Sequence, residues 1–202
     1  MPYPDRFYPV VDTVAWVQRL TALGVGTVQL RAKDLDDTAA TALFREALAV
    51  TAGTSTKLVV NDYWRVAIDL KAKHLHLGQE DLAEADVAAI RKAGLTLGLS
   101  THDDEELEVA LRAKPDYVAL GPVFPTTLKS MRIAPQGIPK LTTWKKRIGD
   151  IPLVAIGGIK LEQAAEIYAA GADSIAVVSD VTQNADPDQR VHDWLGTSAK
   201  AA

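Results

Sequence analysis

The sequence predicts an α/β fold, a (β/α)8 TIM barrel in one domain, on three observations. Short apolar runs recur eight times along 202 residues. Each run ends in a small cluster of polar or glycine residues, and a segment of helical periodicity follows. Short strands alternating with helices through tight connections imply a parallel sheet. Eight such units favour a closed barrel over an open doubly wound sheet. In a closed barrel the carboxyl ends of all strands meet on one face, so residues distant in sequence gather at one pocket.

Taken in order, Phe7–Val11 reads as the first strand. Asp12 or Thr13 caps a helix that buries Val14, Val17 and Leu20 and stops near Gly24. Thr27–Leu30 is the second strand, followed by a helix over 38–51 with Leu43, Ala47 and Leu48 inward and Gly53 past its end. Strands at 58–60 and His74–Leu77 flank a short helix over 64–70. A helix over 83–92 stops at Gly94, and a fifth strand covers 96–99. Residues 100–106, Ser-Thr-His-Asp-Asp-Glu-Glu, combine cap residues with acids suited to the positive end of a helix dipole. That helix ends before Pro115. Tyr117–Leu120 is the sixth strand, and 121–137 is the longest stretch without periodicity, the mark of a functional loop. A helix over 141–148, strand Leu153–Ile156, a helix over 161–170 closed by Gly171, and a strand over 174–178 follow. Asp186-Pro187 opens the last helix, with proline in a tolerated first-turn position. One domain is expected over 1–202, with a frayed tail after about 196.

Composition narrows the partners. Hydrophobic residues at 48% and charged residues at 24% describe an ordinary soluble globular chain. A net charge of −4 without a basic run argues against duplex nucleic acid and anionic membranes. Small-molecule substrates are expected, and a homo-oligomer is compatible with the sequence. There is no cysteine, which excludes disulfides and thiolate chemistry. Met1 leads into Pro2-Tyr3-Pro4-Asp5-Arg6 rather than a basic and then apolar segment, so no signal peptide is expected. No apolar run approaches a membrane span, and the cytoplasm is the expected compartment.

The chemistry lies in the clusters. Gln29, Arg31 and Lys33 alternate at the end of the second strand and share one side of it. Two cations at a barrel mouth suit a phosphate or pyrophosphate, arginine by paired hydrogen bonds and lysine as a point charge. A solvated strand end is the plainer alternative. Asn61-Asp62 and Asp81 follow adjacent strands, so the two carboxylates reach one point, where they repel unless a proton or cation lies between them. Beside phosphate-binding cations, Mg2+ is the expected ion, because it takes few carboxylates and completes its shell with water and phosphate oxygens. Helix capping is the competing role for each aspartate singly. Gly121 to Lys129 supplies amides, hydroxyls and a cation. Gly157-Gly158 and Val178-Ser179 follow strands seven and eight, the usual phosphate site of such barrels, although a tight turn alone explains a glycine pair. His76 reads as a packed, hydrogen-bonded core histidine, and His102 and His192 as surface or helix residues.

Together these segments resemble the thiamin phosphate synthase (thiamin-phosphate pyrophosphorylase) family. The matching segments are Val28 to Asp34, Asn61-Asp62, His74 to Asp81, Gly98-Leu99-Ser100, Gly121 to Thr126, Ile156 to Ile159 and Ala176 to Ser179. They cover nearly the whole chain in order. Where many members carry arginine directly after Asn-Asp, this chain has Tyr63-Trp64, with Arg65 two positions later. The resemblance implies a Mg2+-dependent transferase of thiamin biosynthesis. It would join 4-amino-5-hydroxymethyl-2-methylpyrimidine pyrophosphate to 4-methyl-5-(2-hydroxyethyl)thiazole phosphate or its carboxylated form. By that resemblance Arg31, Lys33, Asn61 and Lys129 hold the pyrophosphate, and Asp62 and Asp81 the Mg2+. Gln29 and Ser100 contact the pyrimidine, and Thr126, Gly158, Val178 and Ser179 the thiazole phosphate. Leu30, Ala32, Thr127 and Leu128 complete the substrate-binding segments. Leu128 stands where the family's Pro-Thr-x-Thr-Lys pattern has threonine, which weakens the expectation for phosphate affinity. Three other readings compete: a thiazole tautomerase on the same barrel, a non-catalytic phosphate-binding barrel, and another sugar-phosphate barrel enzyme, which would explain Gly157-Gly158 and Ser179 but not Asn61-Asp62 with Asp81.

Overall fold

The computed structural model describes residues 3–126 and 134–200. Eight parallel strands close on themselves in chain order: β1 (Phe7–Val11), β2 (Thr27–Leu30), β3 (Lys57–Asn61), β4 (His74–Leu77), β5 (Thr96–Thr101), β6 (Tyr117–Leu120), β7 (Leu153–Ile156) and β8 (Ser174–Val177). The seam is the β1–β8 pairing, with Phe7 opposite Ile175 and Pro9 opposite Val177.

Period-two alternation sorts the strand residues into two cores. Tyr8, Val10, Val59, Tyr117, Ala119, Val154 and Ala176 pack inside the barrel. Their neighbours Val11, Val28, Leu30, Leu58, Val60, Leu75, Leu97 and Leu99 point outward, under the helices. Outward strand residues and inward helix faces thus form the larger core, while the smaller inner core leaves the carboxyl-end mouth free for polar side chains.

The helices close this outer layer, with some boundaries moved from those the sequence predicts. Helix α1 (Val14–Ala22) starts at Thr13, whose hydroxyl accepts from the Trp16 amide at 3.3 Å, so Thr13 and not Asp12 is the cap. Helix α2 (Asp37–Thr51) starts from Asp36 and buries Ala40, Phe44 and Ala47, whereas Leu43 and Leu48 are half-buried at its edge. After α3 (Trp64–Asp69), the predicted helix over 83–92 is two helices, α4 (Gln79–Glu84) and α5 (Val87–Lys92). The break lies at Ala85-Asp86: Ala85 is extended, and the Asp86 carboxylate accepts from the Ala89 amide and starts a new helix. Ser100 and Thr101 are not a helix start but the end of β5, paired with Ala119 and Leu120. The cap of α6 (Asp104–Arg112) is therefore Asp103. Helix α7 spans Ile138–Ile148, and a 3-10 turn (Leu161–Gln163) precedes α8 (Ala164–Ala169). Ser179 opens a short helix, α9 (Ser179–Thr182), and α10 (Pro187–Lys200) carries on through Gly196, past the position where a frayed tail is expected.

Candidate active site

A cavity of about 730 Å3 opens at the carboxyl ends of the strands, where the convergence argument places it. Of the expected site residues, Gln29, Arg31, Lys33, Asn61, Asp62, Asp81, Ser100, Thr126, Gly158, Val178 and Ser179 all line it. Leu30 does not. Its side chain is fully buried in the outer core, because residue 30 alternates away from Gln29 and Arg31. Ala32, past the end of β2, is absent from the lining as well. Thr127, Leu128 and Lys129 lie outside the described residues.

Neither aspartate caps a helix. Asp62 follows β3 with a positive φ of 67°, a conformation Asp tolerates better than most residues, and its amide donates to the His76 carbonyl at 2.9 Å. The capping position before α3 belongs to Tyr63, which makes no side-chain cap bond. The turn sends the Asp62 carboxylate to Lys33, 3.1 Å away. Asp81 sits in the first turn of α4, close against Gly78, where an added Cβ would lie 3.1 Å from Asp81 Oδ2. Burial and the charge of the neighbouring Asp62 raise the Asp81 carboxyl above its ordinary value. Two carboxylates thus meet beside Lys33, in a cavity that Arg31 also lines. Asn61, only 3% exposed, directs its Nδ2 toward no hydrogen-bond acceptor among the described residues. A buried amide N–H2 without a partner beside cationic side chains suits an anionic ligand oxygen.

On the opposite side, the β6 and β7 ends are stitched together. The Val123 amide donates to the Ile156 carbonyl at 2.9 Å and the Phe124 amide to the Gly157 carbonyl at 3.0 Å. A Cβ on Gly158 would come within 2.4 Å of the Pro125 carbonyl oxygen, and one on Gly157 within 2.5 Å of Pro122 Cβ. The glycine pair is thus explained first by this close approach, which also brings Thr126 to the cavity wall. Behind the β8 end, Asp180 (6% exposed at its side chain) accepts two bonds from Arg190, at 2.8 and 2.9 Å, and one from Trp194 Nε1 at 2.8 Å. Trp194 in turn stacks on Phe7, so α10 braces the loop that carries Ser179.

The floor is a polar network inside the barrel. Gln29 Nε2 donates to Tyr8 Oη at 2.7 Å, and Tyr8 and Tyr117 hydroxyls are 2.8 Å apart. His76 Nδ1 lies 2.9 Å from Tyr117 Oη, and its Nε2 lies 2.7 Å from Ser100 Oγ. The expectation of a packed, hydrogen-bonded His76 holds, and burial pushes its pKa down to about 4. His192 is exposed, as expected of a surface residue. His102 lies neither at the open surface nor in a helix: it precedes the Asp103 cap of α6 and lines the cavity, with its amide and Nδ1 both 2.7 Å from Glu106 Oε2. Sequence reasoning also missed Tyr8, Gln79 and Glu106. Tyr8 was findable, since period two from Val10 turns it inward. Gln79, whose Nε2 donates to the Ser100 carbonyl at 2.6 Å, carried no such signal.

Comparison with known proteins follows the same lines. The family model described as thiamine monophosphate synthase matches residues 7–181. A thiamine-phosphate synthase of Rhizobium etli is 55% identical over 195 residues, covering 96% of each chain. One of Salmonella enteritidis is 53% identical over 186 residues, covering 92% of this chain and 88% of its own. Among solved structures, a thiamine phosphate pyrophosphorylase from Pyrococcus furiosus superposes with a TM-score of 0.83 at 26% identity, covering 96% of each chain. The chain belongs to the thiamine monophosphate synthase family.

Proposed function

We propose that this protein is a thiamin phosphate synthase. It joins 4-amino-5-hydroxymethyl-2-methylpyrimidine pyrophosphate to the thiazole phosphate, or its carboxylated form, and releases thiamin phosphate and pyrophosphate. The observation that carries the reading is the meeting of Arg31, Lys33, Asn61, Asp62 and Asp81 at one wall of the cavity, with Gly158 and Ser179 at another. One wall suits a pyrophosphate with its cation, the other a phosphate.

The donor set fits Mg2+. Asp62 and Asp81 lie close enough for the charge of one to raise the carboxyl pKa of the other, and two carboxylates leave room for water and phosphate oxygens. These two residues would hold the ion, which when bound neutralises charge on the departing pyrophosphate. The chain's own groups do the rest. Arg31 and Lys33 offset the phosphate charge, and Asn61 Nδ2 donates to a phosphate oxygen. Lys129 adds a further cation. Gln29 and Ser100 orient the pyrimidine, whose electron-rich ring expels the pyrophosphate. Thr126, Gly158, Val178 and Ser179 hold the thiazole phosphate so that the thiazole nitrogen faces the resulting pyrimidine cation. Such a reaction draws on charge neutralisation and alignment rather than on a nucleophile. This reading includes one barrel domain over 1–202 and action in the cytoplasm. No helix among the described residues is long and apolar enough to cross a membrane.

Mass spectrometry of a reaction containing both substrates and Mg2+ tests it. Thiamin phosphate should appear only when both are present. A product formed from the thiazole phosphate alone would instead identify an isomerase.

A further inference from the structure

The barrel-floor network has a direction, and it follows from counting donors. A glutamine amide nitrogen only donates, so Tyr8 Oη accepts from Gln29 Nε2 at 2.7 Å. Tyr8 is 1% exposed, and its one O–H has Tyr117 Oη, at 2.8 Å, as its acceptor among the described residues. Tyr117, also fully buried, having accepted that proton, donates its own to His76 Nδ1 at 2.9 Å. A neutral imidazole that accepts at Nδ1 carries its proton at Nε2, which then donates to Ser100 Oγ at 2.7 Å. The opposite direction would give Tyr8 two incoming bonds and leave its buried O–H without an acceptor, a costly arrangement. Because His76 Nδ1 accepts the Tyr117 proton it carries no hydrogen of its own, so the ring has one N–H, at Nε2, and the chain runs in one direction at a time. Gly98 makes the geometry possible: a Cβ there would lie 1.9 Å from Tyr117 Cζ.

We propose that the Tyr8–Tyr117–His76 chain sets the polarity of the ligand pocket, fixing Gln29 Oε1 as an acceptor and the Ser100 hydroxyl as a donor. An acceptor at one side and a donor at the other match a flat heterocycle that offers an amino N–H and a ring-nitrogen lone pair. They mismatch the corresponding oxo compound, whose carbonyl faces Gln29 Oε1 and whose protonated ring nitrogen faces a donor. Tyr117 is a positioning residue, since it does not line the cavity and acts through His76. The selectivity part rests on the pyrimidine substrate proposed above; the direction of the chain does not.

Nitrogen-15 NMR of the unliganded protein reads the direction without any substrate. The chain has four histidines, and His76→Gln assigns the signal by its loss. The expected state at pH 7 is the Nε2–H tautomer of His76, moving toward Nδ1–H in Tyr117→Phe. An Nδ1–H tautomer in the wild-type protein overturns the proposal. Calorimetric titration with the monophosphates of the aminopyrimidine and of its 4-oxo analogue then reads selectivity apart from chemistry. Wild type should prefer the amino compound about tenfold or more, and Tyr117→Phe should narrow that preference several-fold. A preference unchanged in Tyr117→Phe overturns the assignment of Tyr117. Wild-type protein with the expected tautomer but no affinity for either pyrimidine overturns the substrate reading while supporting the direction of the chain.

Discussion

A buried and a half-buried histidine make the fold sensitive to mild acid, and the size of the effect follows from their surroundings. His74 and His76 alternate on β4 and both face inward, His74 beneath the stacked ring of Tyr3 and His76 against Tyr117. Burial pushes each from the ordinary 6.5 down to about 4, helped at His74 by the neighbouring Lys57. Between those values the unfolded chain binds more protons than the folded one, so stability rises with pH and is lost as pH falls. At 1.36 kcal/mol per pH unit, a fall from 6.5 to 4 corresponds to about 3 kcal/mol for each ring. Of this, about 4 kcal/mol for the pair is lost between pH 7 and pH 5, a large share of a typical domain stability of about 5–15 kcal/mol. Asp81 acts with the opposite sign, because its raised pKa relieves an unfavourable charge as pH falls. Urea unfolding at pH 7, 6 and 5 measures the effect. The midpoint should fall steadily while the slope with denaturant stays constant, and His76→Gln should remove about half of the pH dependence. A wild-type stability that is flat from pH 7 to 5 would refute the reasoning.

Three further outcomes are expected. Lys33→Ala should lower turnover on the order of 10²–10³, the usual cost of a preorganised electrostatic contact. Its melting temperature should hold, since the Lys33 side chain is 49% exposed; a large drop in stability with normal turnover returns Lys33 to a structural role. Asp62→Ala and Asp81→Ala should each abolish most activity, with the double variant little worse than either, as for groups sharing one cation; full activity in excess chelator contradicts this. Arg190→Ala leaves the buried Asp180 carboxylate with Trp194 Nε1 as its remaining side-chain donor among the described residues. The loss should be about 2–4 kcal/mol, read as a melting temperature several degrees lower. An unchanged melting curve would show that Asp180 is satisfied elsewhere.

The strands were legible in the sequence because each combines an apolar run with a polar terminus, and the same alternation placed Gln29, Arg31 and Lys33 together. Alternation also carried a correction within itself: Leu30 belongs to the matched segment, but its parity turns it away from the cavity. Local capping was harder to read. Asp86 breaks a continuous apolar pattern by capturing the Ala89 amide, and Ser100-Thr101 resembles a helix start until pairing with Ala119 and Leu120 claims it for β5. Contacts between distant segments left the weakest trace. Nothing near Gln79 announces the Ser100 carbonyl, and nothing near Asp180 announces Trp194. Both depend on barrel closure, which brings together residues with no periodic relation in sequence.

Pyrophosphate release tests the central claim most directly, because the cations, the aspartates and Asn61 are all assigned to that one leaving group. With both substrates and Mg2+, the protein should release one pyrophosphate for each thiamin phosphate formed. Release should fall to background when the metal or either substrate is omitted. Pyrophosphate release that proceeds at full rate without the metal, or no release with the full mixture, would contradict it.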